Sequence, residues 1–395
     1  MQLMAACDKT GKKQDERNAT LLALTSSALL LPAYQAAQAD APPEYTELGL
    51  RYSKYTEDDI PGRRAFGGGS ERYDIDVAQF HLLAPVADSW SVALDVQWED
   101  MSGASPWFVG ESPSGDPKVI MSGASIEDSR TEVSVTTRYY FDRGNAGFNY
   151  TNSEEDDYDS DAFSLDGSFN SADGMRTYSA AISASDDQIE PTQGSVPTNT
   201  LKDSKDIRSA WVGVSQIVSK RAIVRFGLSY TYREGFLTDP YKSRDNRPDE
   251  REEWTLGAGY RQFFEDHDAA LHVDYRYFDD DWDVTSHTLD VAWYQNLSND
   301  IQLVPFARYY TQDAAEFFDV VADTSQEYYA DDYRLSAFGA FTYGLRGNKT
   351  IGNWTLNATA ERYKSDEAYG LYSGDDAPGL VDFWRYSVGV NYVFK

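Results

Sequence analysis

Apolar residues recur at every second position in many short runs of this chain. In one run Trp90, Val92, Leu94, Val96 and Trp98 alternate with Ser91, Ala93, Asp95, Gln97 and Glu99. A period of two puts one set on one face of an extended strand and the other set on the opposite face. The same period runs through Ala222, Val224, Phe226, Leu228, Tyr230 and Tyr232, and again through Leu271, Val273, Tyr275 and Tyr277. It predicts sixteen strands, at 44–55, 72–84, 90–100, 130–141, 145–153, 161–170, 175–185, 207–218, 221–233, 252–263, 269–279, 284–297, 301–312, 333–345, 353–364 and 382–394. Most of them meet or exceed the ~9–11 residues that a tilted strand needs to cross a bilayer.

The connections sort by parity. Even-numbered ones are short and rich in Asp, Asn, Gly and Ser: 85–89, 142–144, 171–174, 219–220, 264–268, 298–300 and 346–352. Odd-numbered ones are mostly long: 56–71, 101–129, 154–160, 186–206, 234–251, 280–283, 313–332 and 365–381. An up-and-down sheet places alternate connections at opposite ends, so short turns gather at one end and long loops at the other. That is the arrangement of a transmembrane up-and-down antiparallel β-barrel. Sixteen strands enclose a lumen wide enough for water, so the polar face turns inward and the apolar face meets lipid.

Composition agrees. The chain carries 35 basic and 65 acidic residues, a formal charge of −30 that excludes the basic face nucleic acid requires. Aromatics make up 14% of the 395 residues, and Tyr is the commonest of them. A mean hydropathy of −0.57 excludes a bundle of membrane helices. A transmembrane barrel tolerates it, because only alternate residues face lipid.

The amino terminus reads as a secretory signal peptide over residues 1–39. Lys9, Lys12, Lys13 and Arg17 precede an apolar run from Thr20 to Ala33, and Ala37-Gln38-Ala39 supplies a cleavage site. The barrel is then expected over 40–395. Cys7 falls within the leader, so the mature chain has no cysteine for a disulfide or a thiolate metal site. At the other end Tyr386, Val388, Val390, Tyr392 and Phe394 alternate, as in the terminal strand that outer-membrane proteins offer to the barrel-assembly machinery. Lys395 after Phe394 departs from that pattern.

Several stretches in the second half resemble an uncharacterised bacterial family, domain of unknown function 3570. They are 235–242 (GFLTDPYK), 246–249 (NRPD), 270–277 (ALHVDYRY), 281–282 (DW), 285–289 (TSHTL), 308–312 (RYYTQ) and 332–339 (DYRLSAFG). The resemblance implies an outer-membrane barrel of a Gram-negative bacterium and brings no activity, substrate or catalytic residue with it. Through gene neighbours for flavin transfer and thioredoxin-like proteins, it also implies a periplasmic redox or lipoprotein partner.

Strand parity turns Arg51, Asp95, Arg138, Arg225, Arg261, His272, Asp274, Arg276, Asp290, Arg308, Arg334 and Arg385 into the lumen. These charges could select solutes, or pair with one another and brace the wall. His272 with Asp274 and Asp290 is the one constellation that could serve acid–base or metal chemistry, but no nucleophile motif accompanies it. Two acidic loops offer calcium candidates, Glu154, Asp156 and Asp157 in one and Asp280 and Asp281 in the other. Neither has the spacing of a calcium loop. Loop 101–129, with Pro106–Gly110 and Val119–Met121, is apolar enough to fold into the lumen as a constriction. The expectation is a passive outer-membrane channel for small polar solutes or ions that contacts lipid and lipopolysaccharide, without cofactor or enzymatic activity. A barrel that houses a periplasmic partner is the alternative, and an outer-membrane enzyme a third.

Overall fold

The computed structural model describes residues 41–67, 71–121, 126–191 and 202–395. The leader with Cys7 and the centre of loop 186–206 lie outside the described residues.

A closed antiparallel barrel organises the chain. Its wall is made of β1 (Thr46–Glu57), β2 (Asp74–Ala87), β3 (Trp90–Gly103), β6 (Ile126–Phe141), β7 (Gly144–Glu154), β8 (Tyr158–Asn170), β9 (Arg176–Ile189) and β10 (Asp203–Ser219). It continues through β11 (Ala222–Gly235), β13 (Glu250–Phe264), β14 (Ala269–Asp280), β15 (Thr285–Ser298), β16 (Ile301–Gln312), β18 (Phe338–Ile351), β19 (Trp354–Asp366) and β20 (Phe383–Phe394). Four short strands lie in the loops: β4 (Pro106–Glu111) with β5 (Pro117–Met121), and β12 (Asp245–Asn246) with β17 (Tyr329–Ala330). The wall holds sixteen strands, as the alternation predicts. β1 pairs with β20 from Thr46↔Phe394 to Glu57↔Phe383, and this seam satisfies the last two strand edges.

Alternation sets the two faces. Leu165, Ile182, Val212, Leu228, Leu256, Leu289, Leu345 and Val388 project outward and are exposed. Aromatic residues flank this aliphatic belt on both sides. Trp90, Tyr139, Phe169, Tyr178 and Trp354 ring the short-turn end, and Trp98, Trp254, Tyr343 and Trp384 ring the long-loop end. Directly opposed rings pack together: Trp90 on Tyr139 (centroids 5.0 Å apart), Tyr230 on Trp254 (4.8 Å) and Trp354 on Tyr392 (4.5 Å). Each such pair adds roughly 0.2–1 kcal/mol to register. Eight residues separate Trp90 from Trp98 on β3. At ~3.3 Å per residue and a tilt near 40°, the rows stand roughly 20 Å apart.

One predicted strand is displaced. It was expected at 333–345 with a turn at 346–352, but β18 begins at Phe338 and runs to Ile351. Asp332 accepts a hydrogen bond from the Arg334 amide and caps a 3-10 turn over Tyr333–Leu335, so the chain is not extended there. Arg346 and Asn348, which resemble turn residues, are inward positions of the strand. The reversal needs only Gly352 and Asn353, and Gly352 takes the positive φ (60°) that a side chain would resist.

Candidate functional site

The inward face carries most of the predicted charges, largely in pairs. Arg138 donates to Asp166 at 2.7 and 2.8 Å and to Asn145 Oδ1 at 2.5 Å. Arg261 donates to both oxygens of Asp274 (2.8 and 2.6 Å), Arg308 to Asp290 (2.6 Å), and Arg385 lies 2.5 Å from Glu361. His81 Nδ1 is 2.5 Å from Asp95. Arg225 shares the space above Gly259 with Asp274. A Cβ on that glycine would stand 2.7 Å from the carboxylate and 3.6 Å from the Arg225 Nε. Arg276 reaches Thr288 Oγ1 at 3.4 Å. Arg51 is the exception: the charged groups acting on it are two more arginines, Arg346 and Arg385.

The His272 constellation does not assemble. Asp274 stands opposite Asp290 in register, but each carboxylate is held by its own arginine, and His272 packs its ring on Tyr294 (centroids 4.2 Å apart). An acid–base pair needs the imidazole within hydrogen-bond reach of the group that orients it.

A second assembly lies at the long-loop end, where loops from opposite sides of the barrel meet. The β4–β5 hairpin, between β3 and β6, touches residues 242–244, between β11 and β13. Lys242 Nζ donates to the Pro106 carbonyl (2.9 Å), the Ser243 amide to Trp107 O (3.3 Å) and Arg244 to Val109 O (2.9 Å). The Arg244 guanidinium also stands over the Phe108 ring at 4.7 Å. Asp331, between β16 and β18, accepts from the Val109 amide at 2.8 Å. Arg72 pairs with Glu57 at 2.5 Å, donates to Gly379 O at 3.0 Å and lies over Tyr333. Two small apolar clusters fill the layer. Trp282, Val284, Ala315, Phe317, Ala330 and Leu335 form one, and Ile60, Ala65, Val109 and Val119 the other.

Arg334, expected on the wall, belongs to this layer because the 3-10 turn carries it off the strand. It bonds Asp332 (Nε to Oδ2, 2.8 Å) and Asp239 (2.5 Å). Arg247 joins Asp245 and Asp332 at 2.8 and 2.9 Å. Burial works against the charge on Asp332, but Arg334, Lys242 and Arg247 outweigh it and hold the carboxyl far below the usual carboxylate range. Asp331 is different: burial dominates and pushes its carboxyl up to about 7. Lys242, Arg244, Arg247, Asp331 and Asp332 escaped the reading of periodicity because loops have none. For Lys242, Arg247 and Asp332 the signal that could have found them is the resemblance itself, whose stretches 235–242, 246–249 and 332–339 contain them.

The acidic loops do not gather as expected. Asp157 converges with Asp128 and Glu155, rather than with Glu154 and Asp156, and these three are close enough to share one cation. Burial raises Glu155 to about 7 against the opposing charge of Arg130, and burial followed by the Asp128 carboxylate raises Asp157 to about 6. The Tyr241 hydroxyl donates to Asp157. Asp280 is occupied structurally: it caps the amides of Trp282 (3.0 Å) and Val284 (2.8 Å) and pairs with Arg251. Asp281 accepts from the Glu252 amide at 2.9 Å.

Comparison with known proteins agrees with this architecture. Residues 21–382 match the family described as protein of unknown function DUF3570. No curated protein matches the sequence. Among solved structures, CdiB from Acinetobacter baumannii is similar with a TM-score of 0.52 and 10% identity, over 89% of this chain and 60% of that one. A bacterial polysaccharide outer membrane secretin is similar with a TM-score of 0.50 and 10% identity, over 89% of this chain and 99% of that one. This chain thus spans 60% of the length of CdiB. At such identity the likeness is one of fold, and it is a fold that bacterial outer-membrane proteins use. Neither name is that of an enzyme.

Proposed function

From the premise that the chain belongs to the DUF3570 family, we propose that it is an outer-membrane channel passing small polar solutes or ions without energy coupling. The observation that carries this reading is the two-faced wall: an aliphatic belt between aromatic rows outside, and charges of both signs inside. A dry core would not favour so many charges, because even a buried ion pair often fails to repay the several kcal/mol that desolvating each ion costs. The loop layer is then the narrowest part of the path, and the β4–β5 hairpin its central piece. Residues 1–39 act as the export signal in this reading, the outer belt contacts lipid and lipopolysaccharide, and β20 engages the barrel-assembly machinery.

Single-channel recording in a planar bilayer tests it. Wild type should pass a small current, and deleting 106–121 should enlarge it. The sheet's own hydrogen bonds do not involve the hairpin, so the wall should survive the deletion. Silence from both proteins would sink the channel reading. A layer across one end also favours a second reading, in which the short-turn mouth receives a periplasmic redox or lipoprotein partner. Co-purification from membranes without overexpression tests that one.

A further inference from the structure

The charges of the lumen do not follow those of the chain. The molecule carries −30 overall, with acidic residues crowded in its loops. Three of four adjacent strands of the wall, β18, β20 and β1, each turn an arginine inward, and β19 among them turns in Thr359 and Glu361. Leu345, Tyr386, Leu50 and Tyr52 are exposed on the outer face, so Arg346, Arg385 and Arg51 point inward. Register brings them together: Arg346 lies opposite Thr359, Thr359 opposite Ser387, and Arg385 two residues along from Ser387. Arg51 lies opposite Gly389. The Asn357 side chain lies over that glycine, where a Cβ would stand 2.6 Å from its Oδ1, and adds an amide to the polar groups between the arginines.

Glu361 pairs with Arg385 at 2.5 Å and neutralises one of the three charges. Arg346 has no carboxylate within ion-pair distance among the described residues, and its guanidinium stands 5.6 Å from the Phe306 ring centroid. The charges acting on Arg51 are those of Arg346 and Arg385. Like charges clustered on a low-dielectric wall repel one another and attract a counter-ion. Guanidinium forks bind two oxygens of a carboxylate or phosphate at once, and neighbouring hydroxyls can complete the shell.

We infer that Arg51, Arg346 and Arg385, with Thr359 and Ser387, form a binding site for a small oxyanion, a carboxylate or phosphate, in the lumen wall. The inference deepens the channel reading by naming the class of solute, and it rests on that reading in taking the lumen to be accessible to water. Permeant or bound, the anion bridges Arg51 and Arg346 and offsets their repulsion.

Two measurements separate this inference from the channel reading. The first is isothermal titration of the detergent-solubilised barrel with inorganic phosphate and with succinate. The second is the reversal potential of the bilayer current in a tenfold KCl gradient. Wild type should bind one of the two ligands and prefer chloride to potassium. Arg51→Gln with Arg346→Gln should weaken binding at least tenfold and reverse the preference, whereas Arg51→Lys, which keeps the charge, should retain the preference. Asp274→Asn with Asp290→Asn frees Arg261 and Arg308 and should raise the chloride preference. Heat-modifiable mobility in gels selects variants that fold. A current without anion preference, unmoved by the arginine variants, together with no titration heat, overturns the inference and leaves the channel standing. Titration heat that the arginine variants abolish, in a barrel that carries no current, supports the anion site and overturns the channel.

Discussion

Leu256 and Gly257 stand one residue apart on β13 and face opposite media. Leu256 is exposed in the outer belt, and a Cβ on Gly257 would meet nothing closer than the Gly227 carbonyl at 4.0 Å. Leu256→Arg should lower the folded yield in lipid by the equivalent of about 2–4 kcal/mol, the midplane penalty for a lipid-facing arginine. Gly257→Asp, on the inward face opposite Arg276, should leave the yield near wild type. Equal losses from the two would refute the face assignment. Gly227, at the same level, is a poorer control, because a Cβ there would lie 2.9 Å from the Trp211 ring nitrogen. Parity made this facing legible from sequence for Arg51, Arg138, Arg225, Arg261, Arg308 and Arg385. It could not show which carboxylate each arginine takes, since pairing depends on register across strands. Asp274 turned to Arg261 rather than to His272 for that reason.

Elements were legible where one face is apolar, and were misjudged where a local hydrogen bond overrides the period. The displaced start of β18 follows from one carboxylate, Asp332, capping a turn. Of the loop layer, periodicity showed nothing beyond the apolar character of 106–110 and 119–121. Its contacts join residues far apart in the chain, such as Lys242 with Pro106 and Arg72 with Gly379, and these leave no periodic trace. The layer should respond to pH. Asp331, with its carboxyl near 7, holds a proton in the closed layer that it would release near pH 4 in a freed loop. Between those values the closed layer binds more protons, so it tightens as pH falls through the window and loosens as pH rises. Glu155 and Asp157, near 7 and 6, push in the same direction from the neighbouring loop. Amide exchange of 107–111, corrected for intrinsic rates, should slow several-fold from pH 8 to pH 5. Asp331→Asn should flatten most of that slope. A variant that keeps the full slope would assign it to another group.

For the whole molecule the decisive asymmetry lies between its ends. A tag inserted after Thr324, in the exposed tip of the loop before β18, should be labelled on intact cells, and one after Asn299, in the turn between β15 and β16, should not. Labelling only at Asn299 would invert the molecule in the membrane. The seam has a different consequence, which concerns the order of events in time. Thr46 meets Phe394, so the closing pair joins the two ends of the barrel, while every other wall pair joins successive wall strands. The entropy of closing so long a loop grows only as the logarithm of its length, so the search is slow rather than forbidding. Before closure, the terminal strands carry a row of unpaired amides and carbonyls that hydrocarbon penalises by several kcal/mol each. A partly built sheet therefore has no comfortable halting point in lipid, and anything that sheltered both edges would speed its assembly. After closure the same arithmetic runs backwards. Nothing can leave the wall until some neighbouring pair of strands parts along its whole length, so the lifetime of the barrel is set by the height of that first barrier rather than by its equilibrium stability.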